Sequence, residues 1–433
     1  MADVRSPDCD VIVVGAGPAG SSAALALARR GWRVVVFERE RFPRFHIGES
    51  LLATVNECFD ELGLTDRIRD AGFPQKLGAS LATHEKYTGR VVDFTTCKEV
   101  RRGQTWQVCR EKFDYILLQA VRDAGADVRE AHRVRECLFD NHGVTVRIAD
   151  DAGVNRELYT RAVVDASGRW GLLGRTFGLR RDEPRLANVA VFAHYSGVPK
   201  LPRGRSNDIR IVARSDAGWF WVIPIDNRLT SIGVVLPQVL FQQRASGATE
   251  ETLLSAFADT PIMADLMKNA VREWPVRVEK DFSYGSTAYA GDRWLLVGDA
   301  GSFLDPVFST GVSIALESGL EAAKALERPL KDGRFQRSRF RGFERRQAKR
   351  FNVFRRFVIG FYTPWFRDLL FQSAAVPQAL FRAVVTILAG KWNPSLMTRF
   401  LIHIFFGAAK IQRYVPIVPP LAVRDEKAGF QMH

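Results

Sequence analysis

A chain of 433 residues with 46% hydrophobic content holds material for two or three domains, or for one large α/β domain carrying an insertion. Its five cysteines (Cys9, Cys58, Cys97, Cys109, Cys137) are scattered, odd in number and never spaced Cys-x-x-Cys, which argues against a disulfide framework or a metal site and fits a reducing compartment. The net charge of +14 gathers largely between Lys331 and Arg367, among Phe335, Phe340, Phe343, Phe351, Phe354 and Phe357. That segment reads first as an amphipathic helix with Phe inward and Arg outward and second as a docking face for an acidic partner; no binding motif accompanies it, so no nucleic acid is expected.

No apolar leader precedes Asp10, and the longest apolar run of the C-terminal region, residues 383–390, is too short to span a bilayer. A cytoplasmic protein without a transmembrane segment is expected. Residues 10–15 form the continuous apolar run of a buried parallel strand. A glycine-rich turn, an Ala/Leu-rich helix stopped by Gly31 and a second strand over 33–38 complete a βαβ start. Ile116, Leu117, Ala120, Val121 and Ala124 predict a helix over 114–124, closed by Gly125. Short strands with turns at 141–143 and 150–153 follow; alternation returns at 188–194 and through 209–236, broken by Pro224 and an Asp226-Asn227 turn. A buried strand over 294–298 leads into a loop and a helix, and beyond about Arg328 the pattern is helical, basic and aromatic. The expected fold is α/β: a Rossmann-like core over 1–330 with an antiparallel substrate sheet inserted at about 77–105 and 183–287, then a helical C-terminal cap over 331–433.

Gly15-Ala16-Gly17-Pro18-Ala19-Gly20 lies directly between that first strand and helix. Gly15 permits the tight turn, Gly17 lets backbone approach a pyrophosphate beside Ala19, and Gly20 lets helix and strand pack closely. Glu38, followed by Arg39, ends the second strand where an acid accepts hydrogen bonds from an adenosine ribose. NAD and FAD share this fingerprint, so other segments must choose between them. Val164-Asp165-Ala166-Ser167-Gly168-Arg169 and Gly298-Asp299-Ala300, ahead of Asp305-Pro306, look like the distal motifs of the flavoprotein aromatic hydroxylase superfamily. Arg110-Glu111-Lys112-Phe113-Asp114 resembles its Arg-x-x-Phe-Asp segment. The resemblance implies FAD, with Asp299 at the ribityl or phosphate region and Arg110 in contact.

Trp219-Phe220-Trp221-Val222-Ile223-Pro224 matches the Trp-x-Trp-x-Ile-Pro signature of flavin-dependent halogenases; the resemblance makes Trp219 and Trp221 a barrier between flavin and organic substrate. Gly48-Glu49-Ser50 resembles the Gly-Glu-Ser segment of the same enzymes, which puts Ser50 at FAD and leaves Glu49 as an acid–base candidate. Phe73-Pro74-Gln75-Lys76 lies where the phenol and pyrrole halogenases place their catalytic lysine, so Lys76 is the expected carrier of electrophilic halogen. Asp305-Pro306-Val307-Phe308-Ser309-Thr310-Gly311 precedes a helix whose first N–H groups, at Thr310 and Gly311, form an anion site beside the cofactor; the resemblance puts the halide there. Tryptophan halogenases carry a glutamate immediately before this Ser-Thr-Gly, and Phe308 stands here instead, which favours a phenol-type substrate. The resemblance spans about residues 10–371 and implies FADH2 from a separate flavin reductase, chloride or bromide, and a small phenolic or pyrrolic aromatic substrate, free or tethered to an acidic carrier protein. Two alternatives stay open: an FAD-dependent aromatic monooxygenase, and a membrane-associated flavin prenyl reductase.

Overall fold

Runs of Val and Ile build the middle of the first sheet. The strands Cys9–Val14, Val34–Phe37, Asn155–Asp165 and Trp294–Leu296 pair in parallel, with Val11 opposite Val34 and Val13 opposite Val164. Asp127–Arg129 extends the sheet beyond Val34–Phe37, and Ala290–Gly291 closes the other edge antiparallel. One face is covered by the antiparallel ribbon His132–Phe139 and Val144–Asp150, whose Val144, Val146 and Ile148 meet Ile12, Val14 and Val35. The helices Pro18–Ala28 and Gly311–Asp332 cover the other. They approach so closely that a Cβ on Gly319 would sit 2.4 Å from the Ala19 carbonyl oxygen, and Ser22 Oγ donates to Leu316 O at 2.7 Å. These elements come from a computed structural model that describes residues 5–421 apart from 202–204, 245–248, 281–282 and 373–375.

A second sheet runs in the order Val271–Arg272, Asn188–Ser196, Thr230–Pro237, Trp219–Pro224, Ile209–Ala213, Gly78–Ala82, Tyr87–Asp93, with Arg277–Lys280 also beside Asn188–Ser196. Strand alternation divides its side chains. Phe220 and Val222 face the helix Thr249–Ala258, where Phe220 stacks on Phe257 with ring centroids 5.7 Å apart. Ile209, Ile211, Trp219, Trp221 and Ile223 face the other way, into a core shared with Phe354, Phe357, Phe361, Phe366 and Leu370 of the C-terminal helices.

The basic aromatic segment forms the helix Arg341–Phe361 with Phe343, Phe354, Phe357 and Phe361 buried, as its spacing predicts. Arg350 departs from the outward-Arg pattern. It is buried because the neighbouring helix Gly311–Asp332 presents Glu317 and Glu321, whose carboxylates it meets at 3.1 and 2.8 Å, beneath the Trp392 ring at 4.9 Å. The helix expected over 114–124 begins earlier, as Arg110–Asp123, since the Arg110 guanidinium braces the first turn through Asp114. All five cysteines are free, and the described residues contain no His/Cys/Asp/Glu cluster able to hold a metal ion.

Candidate active site

Steric demands of the backbone shape the wall nearest the first strand. Gly15 has φ +100°, a left-handed region that glycine tolerates, and a Cβ there would lie 2.4 Å from Ala166 O. A Cβ on Gly20 would meet Gly15 O at 1.8 Å, so the helix Pro18–Ala28 can start against this turn only with glycine there. Gly20 lies behind the wall, whereas Gly15, Gly17 and Ala19 line a cavity of about 430 Å³. No side chain caps the helix at Gly17, which leaves its first N–H groups free for an anionic group. Glu38 follows the strand Val34–Phe37 and lines the same cavity with Arg39; its carboxylate accepts from Ala16 N at 2.9 Å and from Glu40 N at 3.0 Å.

Further along the cavity, Arg110 is buried and donates to both Asp114 oxygens at 2.8 and 2.9 Å and to Ile47 O, while Arg44 meets Asp114 at 3.2 Å. Burial disfavours the Asp114 charge, but Arg110 overrides it and holds that carboxyl below its usual range. Asp299 also lines the cavity. Burial pushes its carboxyl up to about 6 against the opposing charges of Arg110 and Arg169, and none of the described residues hydrogen-bonds it. An anion-accepting turn and an unpartnered carboxylate in the wall of one cavity suit a ligand that carries both phosphates and hydroxyl donors, as FAD has.

Glu49 and Ser50 enter the cavity from the segment before the strand Gln75–Lys76. Burial raises Glu49, yet its bond to His194 Nε2 at 3.2 Å and the Gly48 N–H at 3.1 Å leave it below its usual value. Trp219 and Trp221 line the side nearest the second sheet. Trp219 Nε1 donates to Tyr362 Oη at 2.8 Å, Tyr362 Oη donates to Asp305 Oδ2 at 2.6 Å, and Asn188 Nδ2 donates to the same oxygen at 3.0 Å. Burial pushes the Asp305 carboxyl up to about 6. Trp221 Nε1 donates to Ser231 Oγ at 3.1 Å. His194, Asn188 and Tyr362 escaped sequence reasoning, since no local spacing marks them.

Lys76 lies outside this cavity. It faces a second, apolar one of about 20 Å³, bounded by Phe94, Phe308, Phe361, Leu370 and Leu388. Ile209 and Ser309 line both cavities. Lys76 pairs through the strand Gln75–Lys76 with Thr105–Trp106, is 1% exposed, and hangs its Nζ 5.2 Å from the Phe94 ring centre. Nζ donates to Leu51 O at 2.8 Å and to Ser50 Oγ at 2.7 Å, so the amine is bonded to a residue of the larger cavity's wall. Burial pulls its pKa down to about 7, with Asp208 opposing. The helix Gly311–Asp332 starts with no side-chain cap at Thr310, after Ser309 in a left-handed turn; Gly311 lines the larger cavity and Thr310 is buried behind it.

A parallel sheet opening through a glycine turn into such a cavity defines a dinucleotide-binding protein. The family model described as FAD binding domain matches residues 8–348. Among curated relatives, the chain is 33% identical to a 1H-pyrrole-2-carbonyl-(peptidyl-carrier protein) chlorinase of Pseudomonas fluorescens, over 78% of this chain and 80% of that protein. It is 32% identical to the corresponding brominase of Pseudoalteromonas luteoviolacea, over 74% and 78%. Of solved structures, the myxobacterial chondrochloren halogenase CndH has a TM-score of 0.76 at 32% identity, covering 92% of this chain and 97% of that one. The flavin-dependent brominase Bmp2 gives 0.80 at 27% identity, covering 93% and 100%. The chain belongs to the flavin-dependent halogenases, a family of FAD-using oxidoreductases.

Proposed function

We propose that this halogenase forms hypohalous acid beside its flavin and delivers it through Lys76 to an electron-rich phenolic or pyrrolic ring. FAD, bound in its reduced form, would supply two electrons and two protons which, with one further proton, turn O2 and a halide into hypohalous acid and water. In this reading Glu38, Arg110, Asp299 and the N–H groups after Gly17 hold the cofactor, and the N–H groups of Thr310 and Gly311 hold chloride or bromide at a helix start. Trp219 and Trp221, fixed by Tyr362 and Ser231, separate the flavin from the organic substrate. A separate flavin reductase supplies FADH2. Because two relatives are named for a pyrrolyl group on a peptidyl-carrier protein, a carrier-tethered substrate is the first form to test.

One observation carries the reading: a lysine that is fully buried in an apolar cavity and hydrogen-bonded to Ser50 in the wall of the cofactor cavity. A pKa of about 7 leaves a substantial share of the amine neutral at neutral pH. A neutral amine can hydrogen-bond hypohalous acid or trap it as a haloamine, fixing where the halogen meets the ring. Phe308 puts an apolar ring where a carboxylate would otherwise assist a less activated substrate.

The test is mass spectrometry of turnover with FAD, a flavin reductase, NADH and bromide or chloride, over free and carrier-bound phenols and pyrroles. Lys76→Ala is expected to keep FAD, still release hypohalite to a small-molecule trap, and lose the halogenated product. Undiminished product in that variant overturns the lysine assignment. Hydroxylated product without halide dependence moves the chain to the aromatic monooxygenases.

A further inference from the structure

The helix Leu396–Gln412 buries only one side. Ile402, Phe405 and Ala409 sit in the core beneath the second sheet, where Phe405 meets Phe366 edge-on with centroids 5.3 Å apart. On the opposite side Leu396, Phe400, Ile404 and Ile411 are 80%, 61%, 40% and 55% exposed. They recur at i, i+4, i+8 and i+15, a single stripe on a helix of 3.6 residues per turn. The stripe continues past the helix end through Tyr414 and Val415, 76% and 63% exposed. Single exposed apolar residues are ordinary, whereas a contiguous stripe of large ones marks a surface that is covered in use. Arg399, His403, Lys410 and Arg413 form a row along one flank of it. No Asp or Glu occurs between Asp368 and Asp425. Glu99 reaches this helix only at its N-terminus, where Ser395 and Thr398 donate to it.

These features discriminate among partners. A second copy of the chain, related by a two-fold axis, sets the same row of cations against itself, and Glu99 beside the helix start is already engaged by Ser395 and Thr398. A soluble acidic protein that docks and leaves selects a more polar face, with cations converging on its carboxylates rather than strung beside an apolar stripe. An anionic lipid surface satisfies both parts at once: the acyl boundary takes the stripe and the headgroups take the row. The Arg413 guanidinium lies 5.1 Å from the Trp365 ring centre and 5.4 Å from that of Tyr414, which sets two aromatic rings at headgroup level. With 17 residues the helix is ~25 Å long and suits a position in the membrane plane. No helix among the described residues is long and apolar enough to cross a bilayer.

We propose that the outer face of Leu396–Gln412, continued through Val415, docks this enzyme peripherally on anionic membranes. The inner face of the same helix shares its core with Phe361, Leu370 and Leu388, which bound the Lys76 cavity. The test uses full-length, FAD-loaded protein sedimented with vesicles of phosphatidylcholine alone or mixed with phosphatidylglycerol. Binding is expected only to the mixed vesicles and is weakened by salt. Phe400→Ser with Ile404→Ser, and separately Lys410→Glu with Arg413→Glu, each lower the partition coefficient by about ten-fold or more. Both pairs alter exposed side chains, and circular dichroism verifies that the fold persists. No binding to anionic vesicles overturns the proposal, as does binding that both variants retain. A dimer in light scattering that the Phe400/Ile404 variant dissolves, or capture of an acidic carrier protein in place of vesicles, also overturns it. None of these readouts depends on halogenation, so failure of this inference leaves the proposed chemistry standing.

Discussion

Lys76→Met isolates the charge state of the buried amine. Lysine titrates ordinarily at 10.5 and burial lowers this one to about 7, a displacement equivalent to roughly 5 kcal/mol. In the unfolded chain the amine stays protonated up to its ordinary pKa, whereas the folded protein releases the proton above about 7. Between those values the unfolded state binds more protons, so stability rises with pH; the lysine's penalty is full below about 7 and gone above 10.5. Methionine fills similar volume and does not titrate. Its loss of the bonds to Ser50 and Leu51 adds an offset that does not vary with pH. Urea denaturation of both proteins at a series of pH values should therefore show wild type gaining on the variant by roughly 2 kcal/mol between pH 7 and pH 9. Other groups that titrate in this window cancel in the comparison. A difference that stays flat across the range means the amine keeps its proton in the fold, and the neutral nucleophile is lost from the mechanism.

Tyr362→Phe removes the hydroxyl that joins Trp219 Nε1 to Asp305, leaving a buried N–H and a carboxylate oxygen each short of a partner; urea midpoints should report a destabilisation of about 2–3 kcal/mol, and indole fluorescence a loosened Trp219. Gly20→Ala brings a Cβ to within 1.8 Å of the Gly15 carbonyl oxygen. The turn must open, and quenching titrations of FAD fluorescence should show affinity falling by about ten-fold or more, while a variant of wild-type affinity would refute the close packing.

What could be read in the sequence was set by short-range constraints. The turn at residues 15–20 declares itself because Gly15 needs its positive φ and Gly20 has no room for a side chain. Trp219 and Trp221 share a face because strands alternate, and the start of the helix Gly311–Asp332 follows from the turn before it. The partners of those residues were not legible. Tyr362 meets Asp305 from 57 residues away and His194 meets Glu49 from 145, contacts that depend on how helices and sheets come together. Arg350 faces inward for the same reason: a charge pattern along one helix cannot reveal that its neighbour offers Glu317 and Glu321. The size of the Lys76 cavity is likewise a gap between packed elements, and gaps have no motif.

The two cavities draw on the chain differently, and this bears on how such an enzyme can change substrate while keeping its chemistry. The larger one is walled by the turn at Gly15, the Gly48–Ser50 segment, Arg110, Asp299 and the start of the helix at Gly311, with the second sheet supplying its tryptophans. The smaller one takes Phe361, Leu370 and Leu388 from the C-terminal helices. Leu370 and Leu388 line the smaller cavity and not the larger, so a substitution there resizes the space beside Lys76 without replacing any residue of the larger cavity's wall. That freedom is bounded. Tyr362, next to Phe361, holds Trp219 in place, and Arg350 and Trp392 both engage Glu317 on the helix that begins at Gly311. The tail can therefore vary in the side chains it points at Lys76 but is restrained in its position, because the same helices brace the tryptophan wall and the helix of the proposed halide site.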